Sequence, residues 1–211
     1  MPLVVNRKLD AETFLGVWHL TETAGEIKQI DSSSARLWHN YESVYSSEHR
    51  IKEKVLARIL LKILYSTFLN TDADSKEVPE ISYNEDGCPR LDDGVNISIS
   101  HTTDYVAVII STEHIVGVDI EMRGERVNKI AKRFIREDEH ADTTGERLLI
   151  WCAKETMYKM FSSEHLGYFD MRTANIKDSD GVFVIENIKK NLRLNVNYHL
   201  GADYVMTYSI F

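Results

Sequence analysis

From Glu48 to Leu69 the chain runs for 22 residues without a glycine or proline. Its apolar side chains recur at every fourth position in two rows: Ile51, Val55, Ile59 and Ile63, and Leu56, Leu60, Leu64 and Phe68. That spacing predicts an α-helix with one wide apolar face, and such a face has to be covered. Strands follow to cover it. Residues 70 to 94 are crowded with Asp, Asn, Gly and Pro and read as a surface connection, with one edge strand at Val78 to Tyr83. Then Val95, Ile97 and Ile99 alternate with Asn96, Ser98 and Ser100, and Tyr105 to Ser111 is rich in β-formers. The pair predicts a hairpin turning at Thr102-Thr103-Asp104, with His101 at the end of its first strand.

Beyond residue 112 the layout repeats. Ile115 to Glu121 alternates, with Val116, Val118 and Ile120 on one face and Gly117, Asp119 and Glu121 on the other. Residues 127 to 135 carry Val127, Ile130, Ala131, Phe134 and Ile135 at helical spacing. Residues 146 to 161 predict a second helix burying Leu148, Leu149, Cys152 and Phe161. Three β-rich runs, Val182 to Glu186, Leu192 to Tyr198 and Tyr204 to Ile210, end the chain as a meander. The order predicts an α+β fold of two similar lobes, 1–112 and 113–211, each a mostly antiparallel sheet packed with helices.

Composition narrows the function classes. The chain has 211 residues, 43% of them hydrophobic, which is too apolar for a disordered protein. Its 25 Lys and Arg face 33 Asp and Glu, and the net charge of −8 disfavours broad nucleic-acid binding. Cys88 and Cys152 lie far apart with no CxxC pair, which argues against a zinc ribbon or a disulfide scaffold and for a reduced, cytoplasmic setting. No apolar run approaches the roughly 20 residues a membrane helix needs, and the first residues lack a leader pattern, so no membrane association is expected.

Three clusters carry candidate chemistry. Asp119 and Glu121 stand about 6 to 7 Å apart on one strand face; a hard cation such as Mg²⁺ turns their repulsion into attraction, and Gly117 on the same face removes a side chain that would crowd such a ligand. For that pair alone, a polar, wet strand face is the more ordinary reading. Glu155 is flanked by Lys154 and Lys159, which reads either as an exposed i,i+4 pair or as a third carboxylate with two phosphate-neutralising ammonium groups. Ser100 and His101 sit at a strand end, where ligand-contacting groups often lie; local packing is the alternative. No G-x-S-x-G elbow accompanies them, and neighbours on a strand point to opposite faces, so they do not form a nucleophile–base pair. The remaining histidines show no zinc spacing. Between 122 and 136, Arg123, Arg126, Lys129, Lys132, Arg133 and Arg136 face a single acid, Glu125. This basic stripe is either a solvated face or a landing surface for an acidic partner.

Together these pieces resemble the signature of the 4′-phosphopantetheinyl transferase superfamily. Gly117-Val118-Asp119-Ile120-Glu121 is followed, 36 positions after Asp119, by Glu155 within Trp151-Cys152-Ala153-Lys154-Glu155-Thr156-Met157-Tyr158-Lys159. The family pattern is G-[VI]-D, a gap, then [FW]-[SCT]-x-K-E-[AS]-x-x-K. Ile97-Ser98-Ile99-Ser100-His101-Thr102 is similar to its N-[LI]-S-H-S strand, and Gly87-Cys88-Pro89 to its G-K-P loop. The length and the D-I-E triplet resemble the larger, peptide-synthetase-activating branch, whose fold is a pseudo-dimer of two lobes with coenzyme A between them.

The resemblance implies that Asp119, Glu121 and Glu155 hold Mg²⁺. It also implies that Lys154 and Lys159 contact phosphates, that Ser100 and His101 meet the nucleotide end with His101 at the 3′-phosphate, and that Arg58 on the long helix is a further basic contact. The implied reaction is attack by a serine of an apo acyl or peptidyl carrier protein on the β-phosphorus of coenzyme A, with Asp119 and Glu155 as catalytic carboxylates and Glu155 as general base. Carrier proteins in such systems are usually acidic, which fits segment 123–136 as their landing surface, and the two-lobed chain implies a monomer. Cys88 stands where the family often has Lys. That departure is the support for a rival reading, a noncatalytic coenzyme A or carrier-protein binding module on the same scaffold.

Overall fold

A 22-residue amphipathic helix finds its cover in the strands that flank it. The computed structural model describes residues 2–69, 80–174, 176 and 181–211. Strands β1 (Leu3–Lys8) and β2 (Thr13–His19) lead through two short helices, α1 (Ala24–Ile27) and α2 (Ser34–Glu42), to the long α3 (Glu48–Leu69). A two-residue ladder of β3 (Ser82–Tyr83) with β4 (Pro89–Arg90) precedes the hairpin β5 (Asn96–Thr102) and β6 (Tyr105–Ser111). Of the edge strand expected at Val78 to Tyr83, residues 78 and 79 lie outside the described residues, and the paired part is Ser82–Tyr83. The first sheet is antiparallel in the order β1-β2-β6-β5.

The second sheet is built after residue 115. Strand β7 (Val116–Met122) is followed by α4 (Arg126–Ile130), α5 (Thr144–Met160) and the strands β8 (Met171–Thr173), β9 (Val182–Asn187), β10 (Leu192–Leu200) and β11 (Tyr204–Ile210). These strands pair antiparallel in the order β7-β11-β10-β9-β8. The fold is α+β, with antiparallel sheets packed by helices. Among the described residues no helix is long and apolar enough to cross a membrane.

Three apolar clusters hold these parts together. α3 packs Leu56, Leu60 and Leu64 against Val106, Val108 and Ile110 of β6. α5 packs Leu149, Ala153 and Met157 against Ile185, Val196 and Val205 of the second sheet. The third cluster lies between the sheets, where Leu15, Val17, Ala107 and Ile109 meet Val116, Val118, Ile120 and Met206. Strand β6 is therefore buried on both faces along its whole length, which explains its continuous apolar run. Each fully buried leucine or isoleucine here contributes about 1.5–3 kcal/mol.

Three expectations are corrected in detail. The helix expected over 127 to 135 ends at Ile130, continues as a 3₁₀ turn over Ala131–Arg133, and stops because Phe134 turns fully inward while its carbonyl accepts from Lys154 Nζ at 2.6 Å. Helix α5 begins at Thr144, two residues before the expected start, because Thr143 and Glu146 form a reciprocal capping box, and Phe161 is its C-cap rather than part of its buried side. Gly117 leaves room for α5, not for a ligand. A Cβ there would stand 2.5 Å from Met160 Cγ and 2.7 Å from the Thr156 carbonyl oxygen.

The two sheets meet edge to edge at β5 and β7 without a backbone ladder. Alternate hydroxyls of β5 take its place: Ser98 Oγ accepts from Val118 N (3.2 Å), Ser100 Oγ from Ile120 N (3.3 Å) and Thr102 Oγ1 from Met122 N (3.3 Å). The outward amides of β7 are thereby satisfied by side chains where a neighbouring strand would otherwise do so. Because Ser98 is buried and contacts no carboxylate of the β7–α5 cluster, Ser98→Ala isolates this seam. Leaving the Val118 amide unsatisfied is expected to cost about 1–3 kcal/mol of unfolding free energy in urea titration. A change within about 0.3 kcal/mol, the scale of an exposed serine, would show that the seam carries no weight.

Candidate active site

β7 and α5 bring three carboxylates together. The alternation of β7 turns Asp119 and Glu121 toward α5, and α5 presents Glu155 and, one turn on, Lys159. Asp119 is 4% exposed; its Oδ1 accepts from Ser100 Oγ at 2.9 Å and from Lys159 Nζ at 2.8 Å. Lys159 Nζ also donates to the Val118 carbonyl at 3.1 Å. Asp119 Oδ2 is buried and has no hydrogen-bond partner among the described residues. Glu121 accepts from Trp151 Nε1 at 2.9 Å, and Glu155 accepts from the Tyr168 hydroxyl at 2.7 Å.

The electrostatics record the crowding. Burial raises the Glu121 carboxyl above its ordinary range and the charge of Asp119 adds to it, against the Trp151 hydrogen bond. Burial likewise raises Glu155, and Asp119 again adds to it, while the bond from Tyr168 opposes. The Tyr168 phenol is itself raised by burial and by its bond to Glu155, so it stays protonated and is the donor.

A cleft of about 340 Å³ opens beside this cluster, lined by Cys88, Arg90, Ser98, Glu155, Tyr158 and Lys159 among others. That is at the small end of ligand-binding cavities. Glu155 and Lys159 thus face the cleft directly, and Asp119 is joined to it through Lys159. His101 is turned to α3 instead: Arg50 Nη1 donates to its Nε2 at 2.7 Å, and its Nδ1 lies 3.1 Å from Glu53 Oε1. Burial pushes Glu53 up, but the bonds from His101 and Arg50 outweigh it and hold that carboxyl below its ordinary value. Arg58 lies on the same helix, its guanidinium 4.8 Å from the Tyr41 ring centroid. Arg50, Lys54 and Arg58 form a basic row at four-residue spacing, and only Arg58 is among the residues the resemblance assigns. The same four-residue arithmetic that marked the apolar rows marks this one.

Two residues assigned to ligand contacts are turned inward. The Ser100 hydroxyl is enclosed between Asp119 and the Ile120 amide, and its residue is 5% exposed. Lys154 is 0% exposed, and its three ammonium protons go to the Phe134 carbonyl (2.6 Å), Glu139 Oε2 (2.6 Å) and the Tyr168 carbonyl (3.1 Å). It cannot reach a phosphate from there. Burial lowers its ammonium below the ordinary range despite the pull of Glu139. Glu139, Trp151 and Tyr168, which hold these groups in place, were not among the sequence candidates, although Trp151 lies in the W-x-x-K-E segment itself.

For a divalent cation the donor set fits in kind. Among the described residues no three Asp, Glu, His or Cys side chains stand together as a ready ligand set; Glu121 and Glu155 each accept from an aromatic donor through one oxygen, Oε1. The buried, unpartnered Asp119 Oδ2 is a hard oxygen flanked by two further carboxylates, the donor chemistry Mg²⁺ selects.

Asp119, Glu121, Glu155 and Lys159, brought together by a strand and a helix beside a cleft, make up the candidate site of this α+β fold. Residues 115–209 match the family described as the 4′-phosphopantetheinyl transferase superfamily. Among curated relatives, the 4′-phosphopantetheinyl transferase gsp of Aneurinibacillus migulanus is 32% identical over 114 residues, covering 54% of this chain and 40% of the relative. The 4′-phosphopantetheinyl transferase AcpT of Salmonella typhi is 33% identical over 94 residues, covering 39% of this chain and 49% of the relative. The match thus spans about half the length of these relatives or less. The superfamily match lies in the C-terminal half of the chain.

Raised carboxyls make the site a stability liability. A group whose folded value lies above its unfolded value contributes stability below the unfolded value and loses it as pH rises through the folded one. In the presence of a chelator, the unfolding free energy contributed by Glu121 and Glu155 is therefore expected to fall as pH rises above about 4.5. Glu155→Gln is expected to flatten that fall in urea titrations at stepped pH. An unchanged slope would mean that Glu155 is not held against its ionised form.

Proposed function

We propose that the protein is a Mg²⁺-dependent 4′-phosphopantetheinyl transferase that moves the phosphopantetheine arm of coenzyme A to a serine of an apo acyl or peptidyl carrier protein. The observation that carries the reading is the buried Asp119 Oδ2, a carboxyl oxygen without a hydrogen-bond partner among the described residues, beside two carboxyls held against ionisation. Such a group is costly unless something positive meets it. The superfamily match over 115–209 and the names of the relatives supply the reaction class.

Asp119, Glu121 and Glu155 are the residues that would hold the metal. When bound, it supplies positive charge to the pyrophosphate and the departing phosphate. The chain's own groups do the rest. Among the described residues Lys159 has two N–H bonds committed, to Val118 and Asp119, which leaves its third for a phosphate oxygen in the cleft it lines. Arg90 adds positive charge to the same wall. Glu155, with a raised proton affinity, accepts the proton of the carrier serine as its oxygen bonds to the β-phosphorus and the bond to adenosine 3′,5′-bisphosphate breaks. Asp119 holds Lys159 in place for that step.

The finer assignments rest on the same reading. The chain is of the larger, two-lobed branch, a pseudo-dimer with lobes 1–112 and 113–211, acting as a cytoplasmic monomer. His101 meets the nucleotide end, and Arg58, with Arg50 and Lys54 beside it, supplies positive charge there. Arg126, Lys129, Lys132 and Arg133 are exposed and, among the described residues, unpaired by acids, which supports segment 123–136 as the landing surface for an acidic carrier.

The test is the mass of an apo carrier protein after incubation with coenzyme A, Mg²⁺ and this protein. Wild type is expected to add one phosphopantetheine. Asp119→Ala and Glu155→Ala are expected to lower the rate at least about 100-fold while retaining the fold by circular dichroism. Transfer by either variant at the wild-type rate would overturn the site. No mass gain with several carriers, together with coenzyme A binding, would instead favour a noncatalytic binding module.

A further inference from the structure

Lys154, Glu139, Trp151 and Tyr168 form one connected device behind the carboxylates. Lys154 is 0% exposed and ties together two carbonyls from separate segments, those of Phe134 and Tyr168. Its counter-ion is equally occupied. Glu139 Oε2 also accepts from Arg136 N at 2.9 Å, and Oε1 accepts from Thr173 N at 2.6 Å and Thr173 Oγ1 at 2.8 Å. A buried ion pair with every lone pair and proton used joins α5, the turn at 134–139, the turn at 168 and β8 at one point. Desolvating two charges is costly, so such a pair adds little net stability, and its return is in fixed geometry.

That geometry leads to the site. Phe134, Trp151 and Tyr168 pack ring to ring, with centroids 5.1 Å apart for Phe134–Trp151 and 5.2 Å for Trp151–Tyr168. From this stack the indole N–H reaches Glu121 and the phenol O–H reaches Glu155. Hydrogen bonds to one oxygen of each carboxylate fix its rotation and leave the other oxygen for a cation.

We infer that Lys154 and Glu139 are positioning residues: by anchoring Phe134 and Tyr168 they set an aromatic clamp whose two donors, Trp151 and Tyr168, orient Glu121 and Glu155 toward a divalent cation. The inference rests on the proposed metal site and adds to it the residues that shape it. Lys154 acts from inside the core, and its charge is spent on the protein's own backbone.

Mn²⁺ binding by electron paramagnetic resonance, with the metal alone as probe, tests this without reference to turnover. Tyr168→Phe removes one oxygen and keeps the ring, and Trp151→Phe removes the indole donor. Each is expected to weaken Mn²⁺ about 10-fold or more, the scale of outer-shell partners, while the melting temperature stays within a few degrees of wild type. Lys154→Met combined with Glu139→Gln, which leaves no buried unpaired charge, is expected to weaken Mn²⁺ similarly. Wild-type affinity in Tyr168→Phe, or in the folded paired variant, would overturn the inference, and Tyr168→Phe decides alone if the paired variant does not fold. Absence of Mn²⁺ binding by the wild-type protein would overturn the metal site, and this inference with it.

Discussion

The hydroxyl seam between β5 and β7 is the contact on which the site depends. Two sheet edges meet there, and each would ordinarily need a partner strand or cover for its outward amides. Ser98, Ser100 and Thr102 meet the amides of Val118, Ile120 and Met122 one for one. A side-chain bond is longer-armed than a ladder bond, so the edges are held apart by the width of a serine. Asp119 occupies that seam, with Ser100 donating to it while accepting from the next amide. The same register that joins the sheets therefore also aims the central carboxylate.

Against this seam stands a local conflict. Three carboxylates are gathered on the buried side of β7 and α5, and among the described residues one lysine in contact, Lys159, pairs with Asp119. Burial and mutual repulsion hold Glu121 and Glu155 against ionisation, and one oxygen of Asp119 is left without a partner. A fold selected only for stability has no use for such an arrangement. Its cost is tolerated because the surroundings are rigid: the bare Gly117 lets α5 lie against β7, and the Trp151–Tyr168 stack closes the other side.

Much of this was legible in the sequence. The four-residue rows of 48–69 correspond to α3, and the alternation at 115–121 placed Asp119 and Glu121 on one face of β7, because both patterns arise from backbone period alone. What the pattern hides is contact across distance in the chain. Lys154 and Lys159 are equivalent as letters on α5, yet one enters the core to meet Glu139 and the other meets the cleft, since five positions turn a helix by more than a third of a circle. Its place at a strand end and the family resemblance assign Ser100 to a ligand contact. Its hydroxyl is instead used by β7, which no local pattern reveals. The short strand β8 and the early end of α4 likewise follow from the Lys154–Glu139 hub, whose members lie on four separate segments.

The claim at the centre is that Asp119 Oδ2 awaits a divalent cation. Crystals soaked in Mn²⁺ and measured for anomalous scattering test it most directly. The account predicts one strong peak about 2.1–2.2 Å from Asp119 Oδ2, with oxygens of Glu121 and Glu155 in the same coordination sphere. A map without a peak there, or one in which Oδ2 accepts a hydrogen bond from the protein itself, would contradict it.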